Sequence, residues 1–309
     1  MPPEADARLR AREVLRRLHW PVARRLGVHA WGDERSRLRG PGIEYAEVRE
    51  YQLGEDARTI DWNLTARSDQ VFVRESNPDR GLDVWIVMDA SRSLDWGTAG
   101  CLKREAAHEV ATAATMLLSR HGSRVGSILF DTALRGVLPP TAGRAGRLRM
   151  LSRIESAGSE SRDPGPTDLE GALRRAGALI RRPSLVLVIS DFIAGPGWQR
   201  ALRSLSLRHE VLAIRIADPT ESQIPSIGVV TFEDPETGAQ LEVDTSSPAL
   251  RERFRAAAAA EERRIASDLR RAGAAIFDLT TAEPVLTQLV TFLRRRQLER
   301  RRTLGPAPA

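Results

Sequence analysis

The stretch LDVWIVMDASRS, residues 82–93, decides the fold of this chain. Its apolar part, Leu82 to Met88, has the pattern of a strand that is buried on both faces of a parallel sheet. This run ends at Asp89, and a second apolar run, Leu185 to Ser190, ends in the same way at Asp191. Two buried strands that each end in an aspartate predict a parallel sheet with both carboxylates at one edge.

From residue 82 onwards, patterns typical of strands and of helices alternate along the chain. The pattern predicts further strands at 124–130, 209–216 and 274–279 and a short edge strand at 133–138. Helical spacing of apolar residues predicts helices at 99–121, 143–156, 168–180, 198–207, 250–271 and 283–298. This alternation predicts an α/β fold, namely a doubly wound, mostly parallel sheet with helices on both faces.

The predicted domain organisation has four segments. They are an N-terminal amphipathic helix (1–27), a small β module (28–81), the large α/β domain (82–298) and a short tail (299–309). A β-hairpin is expected to interrupt the large domain at 227–243. We expect this hairpin to pack on the short strands of the β module, so that the two form a satellite beside the main sheet.

Five residues would bring oxygen atoms to the predicted edge of the sheet: Asp89, Ser91, Ser93, Thr167 and Asp191. Ligands of open α/β sheets bind beyond the carboxyl ends of the strands, where the strand order reverses. Mg²⁺ prefers oxygen ligands and usually keeps several waters, so these residues predict a site for Mg²⁺ or Mn²⁺. The low charge of this ligand set would leave the cation open to an acidic side chain of a partner.

A purely structural interpretation of the same residues stays open. The hydroxyl groups of Ser91, Ser93 and Thr167 could be helix N-caps, and both aspartates could be ordinary loop acids. Ser190 and Asp95 lie close to the pattern in the sequence and are lesser candidates for the same site.

Composition limits the classes of protein to which the chain can belong. No segment has the roughly 18 consecutive apolar residues of a membrane-spanning helix, and the arginine-rich N-terminus does not resemble a signal peptide. The single cysteine, Cys101, permits no internal disulfide, so we expect a reducing, cytoplasmic location.

The basic residues are concentrated at the two ends of the chain. The net charge of +6 comes from residues 1–30 (+4) and 294–302 (+5), and the remainder carries −3. Lys103 is the only lysine, and we attribute the arginine excess to coding bias.

The segment REYQLGEDARTIDWNLTAR, residues 49–67, resembles the signature of a bacterial family called domain of unknown function 58. The pieces SDF (190–192), RHEV (208–211), DP (218–219) and ETG (236–238) fit the same family. The chain has Gly54-Glu55-Asp56 where the family commonly has Gly-Asp-Asp, a difference that preserves the charge. Residues 82–298 resemble a von Willebrand factor A-type domain.

The resemblance implies an A-type fold, no established enzymatic activity and frequent association with MoxR-type AAA+ ATPases. It also implies a metal-ion-dependent adhesion site, whose roles fall on Asp89, Ser91, Ser93, Thr167 and Asp191. Some members of the family carry membrane segments, and this sequence has none that we can identify.

The signature segment also contains candidates for interaction or docking: Tyr51, Asp56, Arg58, Asp61, Trp62 and Arg67. Arginine, tyrosine and tryptophan are favoured at binding hot spots, which suggests a recognition surface. The alternative, which we favour, is a network of arginine–carboxylate pairs that holds the β module to the main sheet.

We therefore expect a non-enzymatic adaptor that uses Mg²⁺ or Mn²⁺ to capture a carboxylate of a MoxR-type AAA+ ATPase or of its client protein. One alternative is a metal-dependent phosphohydrolase with Asp89 as nucleophile, but Ser91 stands where such an enzyme usually has its second acid. Another alternative is a binder of nucleic acid or membrane surfaces through the arginine-rich termini. We favour solvated helix ends over this last function and do not expect nucleic acid as a partner.

Overall fold

The computed structural model describes residues 45–50, 65–66, 70–76, 82–97, 100–119, 122–159, 165–234 and 238–304. Within these ranges the strands are β1 (Tyr45–Glu50), β2 (Phe72–Ser76), β3 (Asp83–Asp89), β4 (Arg124–Phe130), β5 (Leu134–Thr141), β6 (Leu185–Ser190), β7 (Glu210–Ala217), β8 (Val229–Glu233), β9 (Gln240–Asp244) and β10 (Ala275–Thr280). The helices are α1 (Lys103–Leu118), α2 (Gly143–Ser159), α3 (Leu169–Leu179), α4 (Trp198–Ser206), α5 (Pro248–Arg271) and α6 (Val285–Leu304), with 3₁₀ turns at Arg92–Asp95 and Pro219–Glu221.

Six strands form the main sheet in the order β10-β7-β6-β3-β4-β5. All neighbouring strands are parallel except β4 and β5, which pair antiparallel at one edge. The chain passes from β3 to β4 and β5 on one side and then returns to add β6, β7 and β10 on the other. The strand order therefore reverses between β3 and β6, and the predicted doubly wound, mostly parallel fold is confirmed.

The central strands are buried because helices cover both faces of the sheet. All six residues of β6 are buried, as are the last six residues of β3. Trp85 and Val87 of β3 belong to a core cluster with Leu173 of α3, Trp198 of α4 and Leu269 of α5. The intervening residues of β3 point to the opposite face, where α1 packs on β3, β6 and β7. This two-sided burial explains why the strands are apolar runs without alternation.

The boundaries of the elements differ from the predicted ones by a few residues. The largest difference at a helix start is at α1, which begins at Lys103 and not at residue 99. The Glu105 carboxylate accepts a hydrogen bond of 2.9 Å from the backbone N–H of Leu102, which caps the helix at that point. The helix α6 continues to Leu304, so the first residues of the predicted tail are helical. None of the helices in the described ranges has the length and apolar character needed to cross a lipid bilayer.

Two separate two-stranded sheets accompany the main sheet. The strands β8 and β9 pair antiparallel at the position of the predicted hairpin. The strands β1 and β2 also pair antiparallel, and they belong to a compact unit of their own, residues 28–81. The packing of one hairpin on the other stays a prediction, and the predicted N-terminal helix at 1–27 lies outside the described residues.

Candidate metal-binding site

The reversal of strand order places the carboxyl ends of β3 and β6 side by side. Met88 of β3 is in register with Ile189 of β6, so the residues that follow them, Asp89 and Ser190, are neighbours. The Ser190 hydroxyl donates a hydrogen bond of 2.7 Å to Oδ2 of Asp89. The backbone N–H of Ser91 donates one of 2.8 Å to Oδ1. Both oxygens of Asp89 are therefore fixed at the point where the strand order reverses.

The carboxylate of Asp89 lies in an environment that disfavours its charge. The residue is 2% exposed. Burial, and next the negative charge of Asp191, raise the pKa of Asp89 from 3.8 to about 7, although hydrogen bonds from Ser91 and Ser190 oppose this shift. Within the described part of the chain, no cationic side chain contributes to the shift of this pKa. A bound cation would relieve the cost of this buried negative charge.

The two serines after Asp89 bring their hydroxyl groups together. Ser91 Oγ and Ser93 Oγ are 3.0 Å apart. Ser91 precedes the 3₁₀ turn at Arg92–Asp95, but its hydroxyl does not cap that turn. The N-cap alternative is therefore not supported for Ser91.

Thr167 lies in the loop that leads into α3 and is 6% exposed. The backbone N–H of the next residue, Asp168, donates a hydrogen bond of 2.7 Å to the carbonyl oxygen of Asp131. The loop after β3 is attached at the same place, since the N–H of Ala90 donates one of 2.7 Å to the carbonyl oxygen of Phe130. Both loops are thus anchored at the carboxyl end of β4. The N-cap of α3 is Asp168 and not Thr167.

Asp191 follows β6 directly and has a partner for each carboxylate oxygen. Oδ1 accepts a hydrogen bond of 3.0 Å from the backbone N–H of Ile193, and Oδ2 accepts one of 2.8 Å from Nζ of Lys103. Phe192, with a φ of 60°, is the one residue other than glycine with a positive φ in the described ranges. Its buried ring packs on Trp198 at a centroid distance of 5.5 Å. The left-handed conformation of Phe192 turns the chain sharply, so that the following N–H reaches back to the carboxylate.

Sequence reasoning missed Lys103, the cationic partner of Asp191. The Lys103 side chain is 2% exposed, and its ammonium lies 2.8 Å from Asp191 Oδ2 and 2.5 Å from Glu221 Oε1. Burial lowers the pKa of Lys103, but the charges of these two carboxylates outweigh burial and raise it above its usual value. A signal was present in the sequence, because Lys103 is the single lysine among 47 lysine and arginine residues.

The other candidate residues fall into two groups. Ser190, a lesser candidate from the sequence, contacts Asp89 directly, whereas Asp95 pairs with Arg104 at the surface at 2.6 Å. The docking candidates Tyr51, Asp56, Arg58, Asp61, Trp62 and Arg67 lie outside the described residues, so their role stays a prediction.

The chemistry of this edge fits a hard divalent cation. We call Asp89, Ser91, Ser93, Thr167 and Asp191 the rim residues. The described residues contain no group of three or more His, Cys, Asp or Glu side chains arranged to hold a metal ion. A cation at the rim would therefore depend on hydroxyl oxygens and water in addition to the carboxylates, which is a ligand set that suits Mg²⁺ or Mn²⁺.

Comparison with known proteins identifies relatives by sequence and solved structures that match part of this chain. Uncharacterized proteins of Mycobacterium tuberculosis and Mycobacterium bovis are each 37% identical to this chain over 288 residues, which is 92% of this chain and 89% of theirs. Solved structures of similar fold include BatB from Bacteroides thetaiotaomicron, with a TM-score of 0.46 and 16% identity over 71% of this chain and 100% of that one. A von Willebrand factor type A protein from Catenulispora acidiphila has a TM-score of 0.33 and 17% identity over 61% of this chain and 43% of that one.

The family model described as "Protein of unknown function DUF58" matches residues 47–264. This match includes β3, β6 and all five rim residues, and it confirms the assignment made from the signature segment. The chain therefore belongs to the DUF58 family of proteins of unknown function.

Proposed function

We propose that this chain is a non-enzymatic, metal-dependent adaptor that binds another protein through the rim residues. In this function, Asp89, Ser91 and Ser93 hold Mg²⁺ or Mn²⁺ together with Thr167 and Asp191, some of them through water. A carboxylate of the partner then completes the coordination. The single observation that carries the proposal is the buried carboxylate of Asp89, which accepts hydrogen bonds from the hydroxyls of Ser190 and Ser91 and has a pKa raised to about 7.

The chain's own residues prepare this site before any partner arrives. Hydrogen bonds from Ser190 and from the Ser91 backbone orient the Asp89 carboxylate. A bound divalent cation would supply a Lewis-acidic centre for an incoming carboxylate. Because most of the ligands are neutral hydroxyls and water, the charge of the cation would be only partly balanced, which favours an anionic partner group.

Two cavities are present in the large α/β domain, and neither belongs to the rim. One cavity of about 280 Å³ lies between α3 and α4, and another of about 310 Å³ lies at the amino ends of β3 and β4. No rim residue lines either cavity. Trp96 and Ile193, which are 37% and 47% exposed, follow the two halves of the rim in sequence. A protein that docks on the rim would have these two apolar side chains available for contact.

The partner that we propose is a MoxR-type AAA+ ATPase or a protein that this ATPase remodels, and the site of action is the cytoplasm. The choice of partner rests on the family resemblance alone, whereas the cytoplasmic location rests on the single cysteine, Cys101. The choice of partner is tested by capture of a MoxR-type ATPase from the same organism on the immobilised chain, in Mg²⁺ and in EDTA. We expect capture only in Mg²⁺, and none by Asp89→Ala, whose circular dichroism should match the wild type. Equal recovery with Mg²⁺ and with EDTA would contradict the proposal.

Metal binding itself gives a test that needs no partner. We expect Ser91→Ala to weaken Mg²⁺ binding by about tenfold, because one hydroxyl ligand is lost. The measurement is isothermal titration calorimetry of the EDTA-treated, dialysed protein with MgCl₂. Ser127→Ala is the matched control: Ser127 is also buried, and its hydroxyl has no hydrogen-bond partner among the described residues. Equal affinities of the two variants would argue against Ser91 as a ligand.

A further inference from the structure

Lys103 is a buried cation beside the rim, in a chain that otherwise uses arginine. It is the only lysine among 47 lysine and arginine residues. Its side chain is 2% exposed and its ammonium joins Asp191 to Glu221, which lies on a different element. A guanidinium is a planar fork, whereas an ammonium is a compact point charge that fits between two carboxylates. The compact ammonium therefore suits this position between the two carboxylates.

Glu221 is held in place by the 3₁₀ turn to which it belongs. Its second carboxylate oxygen, Oε2, accepts a hydrogen bond of 3.0 Å from the backbone N–H of Asp218. The Asp218 carboxylate in turn accepts hydrogen bonds of 2.5 Å from the hydroxyls of Thr281 and Thr220. The indole N–H of Trp96 donates to Thr220 Oγ1 at 3.2 Å, which connects this turn to the loop after β3. The Lys103–Glu221 pair is therefore part of a network that contacts Asp191 of the rim and also the loop after β3.

Lys103 balances the negative charge of one of the two rim carboxylates. Asp89 and Asp191 repel each other, and this repulsion contributes to the raised pKa of Asp89. The ammonium of Lys103 balances the negative charge of Asp191 by direct contact with its Oδ2. Asp89 is left as the rim carboxylate without such a partner among the described residues.

We propose that Lys103 is a positioning residue that keeps Asp191 out of direct contact with the divalent cation and thereby lowers the affinity of the rim for it. This inference rests on the proposed metal-dependent function. A site with one available carboxylate binds a divalent cation more weakly than a site with two, because affinity depends on the number of charged ligands. The partner's carboxylate then supplies the missing charge, so tight cation binding and partner binding occur together.

The test compares Mg²⁺ affinities of three variants with the wild type by isothermal titration calorimetry. We expect Lys103→Met to bind Mg²⁺ at least about tenfold more tightly, because a positive charge is removed and Asp191 becomes available. We expect Glu221→Gln to bind about threefold more weakly, because the ammonium then loses one of its balancing charges. The double variant Lys103→Met/Asp191→Asn lacks the carboxylate that the loss of Lys103 would make available, so it should lose the tighter binding of Lys103→Met.

The expected changes in Mg²⁺ affinity have opposite signs in Lys103→Met and Glu221→Gln, and this difference separates a positioning role of Lys103 from a purely structural one. If Lys103 only stabilises the fold, both single variants bind Mg²⁺ equally or more weakly than the wild type, and the inference is overturned while the proposed function stands. Binding by Lys103→Met but not by the wild type would support the inference and contradict metal binding by the unmodified rim. Absence of binding in every variant would overturn both. Should Lys103→Met not fold, Lys103→Gln takes its place, because it removes the charge and keeps a polar side chain: tighter Mg²⁺ binding than the wild type supports the inference, and equal or weaker binding overturns it.

Discussion

Replacing Asp89 with asparagine should stabilise the metal-free protein and at the same time abolish its stabilisation by Mg²⁺. The folded state raises the pKa of this carboxyl from 3.8 to about 7, so at neutral pH and above the fold carries the cost of an ionised, buried Asp89. An asparagine keeps the shape and removes the charge. From the size of the shift we expect an increase of about 2–4 kcal/mol in the free energy of unfolding, measured by urea denaturation in EDTA.

The stability gained by Asp89→Asn depends on pH because folding shifts the pKa of Asp89 upward. Below pH 3.8 the carboxyl is protonated in both the unfolded and the folded state, so asparagine offers no advantage. Between pH 3.8 and about 7 the unfolded state loses its proton first, so the wild type loses stability as the pH rises. The advantage of Asp89→Asn should therefore grow across this window and stay constant above it.

A matched control is Asp95→Asn, which changes an aspartate six positions further on that is 36% exposed and pairs with Arg104. We expect it to change stability by less than about 1 kcal/mol and to leave the Mg²⁺-dependent increase in melting temperature intact. If Mg²⁺ still raises the melting temperature of Asp89→Asn, Asp89 is not a ligand of the cation.

The second large effect is expected for Asp191→Ala. This change leaves the buried ammonium of Lys103 with Glu221 as its one remaining carboxylate in the described network. Removal of one partner from a buried ion pair usually costs about 3–5 kcal/mol, and because the pair to Glu221 remains, we expect a loss of about 3 kcal/mol. The measurement is the free energy of unfolding in urea at neutral pH.

Asp278→Ala is the control for this prediction. Asp278 also forms an ion pair, with Arg215 at 2.8 Å, but its side chain is 62% exposed. Surface pairs contribute at most about 1 kcal/mol, so this variant should remain close to the wild type. Equal losses in the two variants would indicate that the Lys103–Asp191 contact is no more important than a surface pair.

Much of the fold could be predicted because its signals are local. The run from Leu82 to Met88 and the run from Leu185 to Ser190 are apolar without alternation, which is the pattern of strands covered on both faces. The helices follow from the 3.6-residue spacing of apolar positions, which likewise needs no tertiary information. Helix starts were less predictable, since α1 begins where the side chain of Glu105 caps it and not where its apolar pattern begins.

The candidate site was predictable in part. Asp89 and Asp191 end the two buried strands, and a doubly wound topology brings such strand ends to one edge. Ser190 is only a lesser candidate from the sequence, because its contact with Asp89 joins residues 101 positions apart. Lys103 was missed because a helix start 88 positions before Asp191 gives no local sign of its partner.

The α/β class, the family and the two strands that end in aspartates follow from the amino-acid sequence alone, because the spacing of apolar residues and the signature segment are properties of neighbouring positions. The different surroundings of the two aspartates emerge from the packed fold: Asp89 lies beside Ser190 without a cationic partner in the described residues, whereas Asp191 is paired with Lys103. The physical reason is that burial and ion pairing depend on the distances between packed elements, and these distances also set the raised pKa of Asp89.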